Sequence, residues 1–436
     1  MLKYGLLSIQ PVADFSFRSH RRYTVHRWQT ISISMTQPAR RTSILFHVTD
    51  FNDGGIESSL IQWLRIFDRT LFDVTLSVMF NSPGFESRYR ALIPADVKVV
   101  ILADRPWLNF FQTRRYARRL SKAGRVGRDV FNTLAVRPYV RARVAALAQQ
   151  NDLIVDFDMS LRRWAGRFNT AWLGVNHFSF DARLGGRRRK AQRLAAQYGR
   201  YDCVVALNQH MADEATAMFG DTLKHLFVLP NAIDIESIRA SSVAPGAPTA
   251  PHDKPYIVSV ARLDEIQKDH RTLLDAYAQL VRDANPVENL VIVGDGAFHD
   301  ELKAYAKELG IANRVHFTGH LRNPHALIAG ATVQVLSSRY EGMPMVLLEA
   351  LALGKPIVAT DCPTGPREIL DDGRAGLLVP IGDVAAMADA MARVLADQQL
   401  RHSMSETATA RSHHYGIGKS NVRFAACVAG ILARRV

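Results

Sequence analysis

Short apolar runs alternate with helical patterns along almost the whole chain. Residues 44–48, Ile-Leu-Phe-His-Val, predict a buried strand. A Gly54-Gly55 turn follows, and Ile56, Leu60, Trp63, Leu64 and Phe67 then recur at helical spacing. Further strands are predicted at 74–78, 97–102, 153–157, 171–175, 203–207 and 226–229, with helical segments between most of them. Short apolar strands separated by helices imply a parallel sheet covered on both faces.

The pattern breaks at 241–254, where Pro, Ser and Ala dominate and a linker is predicted. A second series follows at 256–260, 290–293, 315–317, 333–336, 357–360 and 377–379. Two doubly wound α/β domains would leave a cleft between the C-terminal edges of their strands, where ligands bind in such sheets. The length of 436 residues, beyond the usual reach of one core, agrees with two domains. Hydrophobic content of 47% and charged content of 22% fit a globular chain. No apolar run approaches the ~20 residues that span a bilayer. Cys203, Cys362 and Cys427 are far apart and form no metal-like pair, which suits a reducing compartment.

Candidate chemistry gathers at predicted strand ends. Residues 338–360 run through a turn containing Glu341-Gly-Met-Pro344, a helix carrying Glu349, a Gly354-Lys-Pro356 break and another strand. Eight positions are close to two helical turns, so Glu341 and Glu349 are expected on one face near the start of a helix. The helix N-terminus adds free N–H groups and a positive pole. Arg262 and Lys268 lie just beyond the strand at 256–260, where a guanidinium fork and an ammonium would neutralise a diphosphate. Gly54 and Gly55 allow close backbone approach and an anion nest. His177 follows the strand at 171–175. Asp156 and Asp158 invite a metal reading, which is set aside because the basic pair Arg262 and Lys268 can do a metal's electrostatic work. Neither a metal nor another cofactor is expected.

The segment 338–360, with Arg262 and Lys268 upstream, resembles the retaining glycosyltransferases of family 4, the group 1 glycosyltransferases, which have the GT-B fold. The resemblance spans roughly 42–436 and is strongest over 255–380. It implies two Rossmann-like domains facing a central cleft. It divides the chain into an extension at 1–41, an acceptor-binding domain at 42–240, the linker at 241–254, a nucleotide-sugar-binding domain at 255–414, and a helix at 415–436 that crosses back to the first domain. By resemblance, Glu341 faces the donor sugar, with Gly342, Met343 and Pro344 beside it, and Glu349 binds the ribose. Arg262 and Lys268 hold the diphosphate, Gly54 and Gly55 face it across the cleft, and His177 lies near the transferring sugar. Residues 361–368 resemble members that use UDP-hexoses or UDP-N-acetylhexosamines, with GDP-mannose as an alternative. Pro230-Asn-Ala-Ile-Asp234 resembles the domain-junction motif.

Charge bears on the acceptor. The net charge is +14, and eleven Lys/Arg but one acid, Asp129, fall between Arg105 and Arg143. Trp107, Phe110 and Phe111 adjoin Arg114, Arg115, Arg118, Arg119 and Lys122. Aromatics beside cations suit an anionic membrane surface, with a glycan or lipid-linked acceptor at the cytoplasmic face of the plasma membrane. The alternative places these aromatics in a core and the arginines on a solvated surface. A nucleotide-sugar epimerase of the same fold is a rival function. A basic nucleic-acid-binding protein is another, although no nucleic-acid recognition motif is present and no such partner is expected. Residues 1–34 lack a signal-peptide apolar region, and Met35 is an alternative start.

Overall fold

The computed structural model describes residues 40–51, 54–111, 120–184 and 186–435. The expectations for residues 1–39, and for Arg114, Arg115, Arg118 and Arg119, fall outside these. Seven strands make the first sheet: β1 (Thr42–Val48), β2 (Phe72–Val78), β3 (Lys98–Ile101), β4 (Leu153–Asp156), β5 (Ala171–Asn176), β6 (Cys203–Ala206) and β7 (Leu226–Val228). Their order is β3-β2-β1-β4-β5-β6-β7 and every pairing is parallel. Six more make the second sheet: β8 (Tyr256–Val260), β9 (Asn289–Val293), β10 (Val315–Gly319), β11 (Val333–Leu336), β12 (Ile357–Thr360) and β13 (Leu377–Val379). They run in the order β10-β9-β8-β11-β12-β13, again all parallel. Each sequence-predicted strand is present, with ends moved by at most two residues.

Both sheets are doubly wound, and the strand order reverses beside β1 in one and beside β8 in the other. A crevice forms at such a switch point, at the C-terminal ends of the flanking strands. The strands beside it are apolar on both faces because helices cover both. β4, β5, β6, β11 and β12 are buried at every residue.

Two helices join the domains. Helix Met345–Ala352 is buried at six of its eight positions and packs against Gly55–Ile66 and Ile235–Ser242. Its Leu347, Leu348 and Leu351 share one apolar cluster with Ile44, Phe46 and Leu60 of the first domain. Helix Ile417–Leu432 lies on the first domain. Its Phe424 ring is 4.7 Å from Phe67 and 5.4 Å from Phe72, and Asn421 Nδ2 donates to the Ile66 carbonyl at 2.7 Å. The Pro-rich stretch is shorter than its composition predicts. Helix Ile235–Ser242 runs into it, and irregular backbone occupies only 243–254.

Candidate active site

The second domain contributes a carboxylate held from several sides. Glu341 follows β11 and is buried. Its Oε1 pairs with Lys268 Nζ at 2.5 Å and accepts from Ser338 Oγ at 2.6 Å. Gln267 Nε2 donates to the Tyr340 carbonyl at 3.2 Å and reaches Glu341 Oε2 at 3.5 Å. Gln267 Oε1 accepts from Arg262 Nη2 at 3.4 Å. Arg262, Gln267, Lys268 and Glu341 therefore form one chain of contacts along the edge of the second sheet. Arg262 is exposed and has no acidic partner among the described residues. A buried carboxylate needs such compensation, since an unpaired charge there would be costly.

Backbone strain flanks this group. Asp269 has φ 49° and Thr364 has φ 64°, the latter a left-handed β-branched residue. Thr364 Oγ1 donates to the Glu341 carbonyl, and Asp269 Oδ1 accepts from Arg339 Nη2 at 3.1 Å. Such conformations persist where the surroundings over-determine them, commonly at functional sites.

The two glutamates do not share a helix face. The helix begins at Met345 with Pro344 as its N-cap. Proline disfavours helical geometry in the residue before it, which leaves Glu341 in the loop. Glu349 lies on the helix, 3.9 Å from His325 Nε2, and His325 Nδ1 lies 2.6 Å from Ser241 Oγ. Glu341 and Glu349 thus have separate sets of neighbours.

The first domain brings His177 and the glycine turn. His177 directly follows β5 and is buried, its ring 4.6 Å from that of Phe157. Burial lowers its pKa to about 4, while the Phe157 backbone and Asp158 act in the opposite direction. The imidazole is therefore neutral near pH 7, and its Nε2 is buried without a partner. The Gly54 N–H, a candidate for an anion nest, is engaged within the chain. Gly54 is extended at φ −124°, and its N–H donates to Glu57 Oε2 at 3.0 Å, the one bond of a capping box that a glycine N-cap can make. Gly55 opens the helix, and a Cβ there would meet nothing.

The domains touch at the site itself. A Cβ on Gly342 would lie 1.9 Å from the His177 carbonyl oxygen. Asn208 Nδ2 donates to the Gly342 carbonyl at 2.9 Å. Asn231 Nδ2 donates to the Met343 carbonyl at 3.2 Å, and Asn231 Oδ1 accepts from Ser59 Oγ at 2.6 Å. The Gln209 N–H donates to Glu368 Oε2 at 2.9 Å. Sequence reasoning missed Asn208, Gln267, Ser338 and His325. Asn231 it read only as part of a junction motif.

Asp156 and Asp158 part company because β4 ends at Asp156 and Asp158 lies in the turn beyond it. Asp156 accepts from Tyr201 Oη at 2.5 Å, and burial pushes its pKa well up. Asp158 accepts from the Thr49 N–H at 2.9 Å. Among the described residues, no group of three or more His, Cys, Asp or Glu side chains is placed to hold a metal ion.

A second surface lies on the first domain. Helix Lys122–Phe131 has no buried residue. Val126, Val130 and Leu134 are exposed, as are Trp107 and Phe110. The alternative that put Trp107 and Phe110 in a core is overturned. Among the described residues, no helix is long and apolar enough to cross a membrane.

Comparisons with known proteins bear on the family and the fold. Residues 244–411 match the family model described as glycosyl transferases group 1. An N-acetylgalactosamine-N,N'-diacetylbacillosaminyl-diphospho-undecaprenol 4-alpha-N-acetylgalactosaminyltransferase of Campylobacter jejuni is 33% identical over 219 residues. That match covers 50% of this chain and 58% of the relative. The lipopolysaccharide core biosynthesis glycosyltransferase LpsE of Rhizobium meliloti is 36% identical over 169 residues, covering 39% of this chain and 46% of the relative. The chain thus spans about half the length of these curated relatives. The structure of Anabaena HepE in complex with UDP and glucose superposes with a TM-score of 0.69 at 20% identity, over 89% of this chain and 100% of that one. Sucrose-phosphate synthase from Thermosynechococcus elongatus gives 0.70 at 19% identity, over 90% and 100%. These two likenesses establish the GT-B fold.

Proposed function

This chain carries a group 1 glycosyl transferase domain at residues 244–411, and from that premise we propose that it moves a hexosyl or N-acetylhexosaminyl group from a UDP-sugar to a lipid-linked glycan. One observation carries the reading above the others. The Arg262–Gln267–Lys268–Glu341 chain ends one residue before Gly342, whose backbone meets that of His177, a residue with a buried, unpartnered Nε2. In this reading charge-handling groups for a diphosphate and hydrogen-bonding groups for a sugar come from facing segments of the two domains.

In this reading Arg262 and Lys268 stabilise the charge developing on the leaving UDP. Glu341 and the Gly342-Met343-Pro344 backbone fix sugar hydroxyls, and Glu349 accepts from the ribose. The neutral His177 ring bonds a sugar hydroxyl. The bond from the anomeric carbon to the phosphate oxygen breaks, a bond to the acceptor oxygen forms on the same face, and the acceptor proton passes to the departing phosphate. The configuration is retained. The two cations carry out the electrostatic work on the leaving group, so no metal or other cofactor takes part. The HepE complex with UDP supports the donor class. The Campylobacter relative, whose name specifies a diphospho-undecaprenol acceptor, supports a lipid-linked one. LpsE supports a role in lipopolysaccharide or other cell-surface polysaccharide synthesis.

We place the protein in the cytoplasm, peripheral at the inner face of the plasma membrane. The exposed Val126, Val130, Leu134 and Trp107 beside Lys122, Arg125 and Arg128 support this, since apolar and basic side chains together suit an anionic interface. Co-sedimentation with anionic vesicles at low salt, lost in a Val126→Asp/Val130→Asp variant, is expected. Equal recovery of both proteins would contradict it.

The reaction is tested by incubating the protein with UDP-sugars, with and without a lipid-diphosphate-linked sugar, and following both UDP release and the nucleotide-sugar pool. Acceptor-dependent UDP release supports transfer. Conversion of one UDP-sugar into its epimer without acceptor would replace transfer by epimerisation.

A further inference from the structure

The first domain contains a cavity of about 100 Å³ between the loop after β4 and helix Arg188–Tyr198. Asp158, Arg162, Arg163, Lys190, Arg193 and Gln197 line it. Arg162 is oriented: its Nε donates to Gln197 Oε1 at 2.9 Å and its Nη1 to the Met159 carbonyl at 2.9 Å. Arg163, Lys190 and Arg193 have no acidic partner among the described residues. Asp158 is the one carboxylate in the wall, and it is turned to other work. It accepts from the Thr49 and Ser160 N–H groups and faces His47.

Four cations so close repel one another. The pKa of Arg163 is lowered, first by Arg137 and then by burial, Arg162 and Arg193. Water and salt screen the exposed Arg163 and Arg193 in part, and an anionic ligand seated among the four would relieve the rest. Guanidinium forks bind phosphate oxygens in pairs and lysine adds a point charge. The cavity is also beside the transfer site. Asp158 directly follows Phe157, whose ring packs on His177, and its charge acts on that imidazole.

We propose that this cavity binds the phosphate or diphosphate group of the acceptor, with Arg162, Arg163, Lys190 and Arg193 as its ligands. This deepens the glycosyltransfer reading and rests on it for the word acceptor. The anion-binding chemistry does not depend on that reading. A lipid-linked diphosphate and a free sugar phosphate present the same group, so both are substrates for the test.

Inorganic pyrophosphate is titrated calorimetrically into the full chain with UDP already saturating, so that the donor site is filled. The expected result is binding that persists beside UDP, weakens steeply with salt, and falls at least tenfold in Arg163→Gln/Arg193→Gln. Unchanged UDP affinity in that variant shows that it is folded; Lys190→Gln alone serves if it is not. In the transfer assay the same variant is expected to raise the KM for phosphorylated acceptors about tenfold and leave that for UDP-sugar unchanged. Comparison of a lipid-diphosphate-linked sugar with a sugar 1-phosphate tells the two sources apart. No pyrophosphate binding once UDP is present, or equal binding by the variants, would overturn the proposal. Failure of UDP itself to bind would instead overturn the donor reading, and the pyrophosphate titration would still decide the cavity.

Discussion

Lys268 and Glu341 are each other's main compensation in a nearly dry setting, with their side chains 14% and 6% exposed. Removing one partner strands the other. Lys268→Ala is expected to destabilise the fold by about 3 kcal/mol and to weaken UDP-sugar binding more than tenfold; denaturant titration and calorimetry check the two effects separately. The buried histidines make a different prediction. His47 and His177 both have pKa values lowered to about 4, chiefly by burial. Each would titrate near 6.5 in the unfolded chain, so the unfolded state binds more protons between about pH 6.5 and 4. Stability is therefore full above that window and declines as pH falls through it, by roughly 3 kcal/mol for each ring. Urea midpoints at pH 7 and pH 4.5 should differ accordingly, and His47→Gln should flatten the change. A pH-independent midpoint would contradict the burial account.

Elements decide which residues meet. The strands were legible because apolar runs bounded by Gly, Pro and polar residues mark them, and Arg262, Lys268, Glu341 and His177 were legible as residues just past those runs. The shared face for Glu341 and Glu349 was not, because helical spacing was counted across a proline that sets the helix start. Asn208, Asn231 and Gln267 were illegible for another reason. Each acts on a segment distant in sequence: Asn208 on Gly342, Asn231 on Met343, Gln267 on Tyr340 and Glu341. Local pattern carries no sign of such a partner. Gly342 shows what those contacts require, since backbone from the other domain occupies the space of a side chain. Gly342→Ala must push the His177 segment away. A loss of about 2–3 kcal/mol from overpacking is expected, with transfer activity reduced at least tenfold. Thermal melts and initial rates check it, and a variant that matches the parent in both would show that the domain contact is dispensable.

The whole molecule is two doubly wound sheets joined by helices Met345–Ala352 and Ile417–Leu432. Its basic, apolar-studded surface belongs to the first domain and its family match to the second. The two sheets were legible in the sequence as two strand series separated by the Pro-rich break. The tie through Phe424 was expected only by resemblance, because a C-terminal amphipathic pattern does not say which domain it covers.

The claim on which the rest depends is that the cleft edge of the second sheet binds a nucleotide-sugar. Thermal unfolding of the full chain with a panel of UDP-, GDP- and ADP-sugars, beside Glu349→Ala, tests it most directly, because a ligand of the native state raises the midpoint with its affinity. The account predicts a clear rise with UDP-sugars, little with the others, and loss of the rise in the variant. No shift with any nucleotide-sugar, or an undiminished shift in Glu349→Ala, would contradict it.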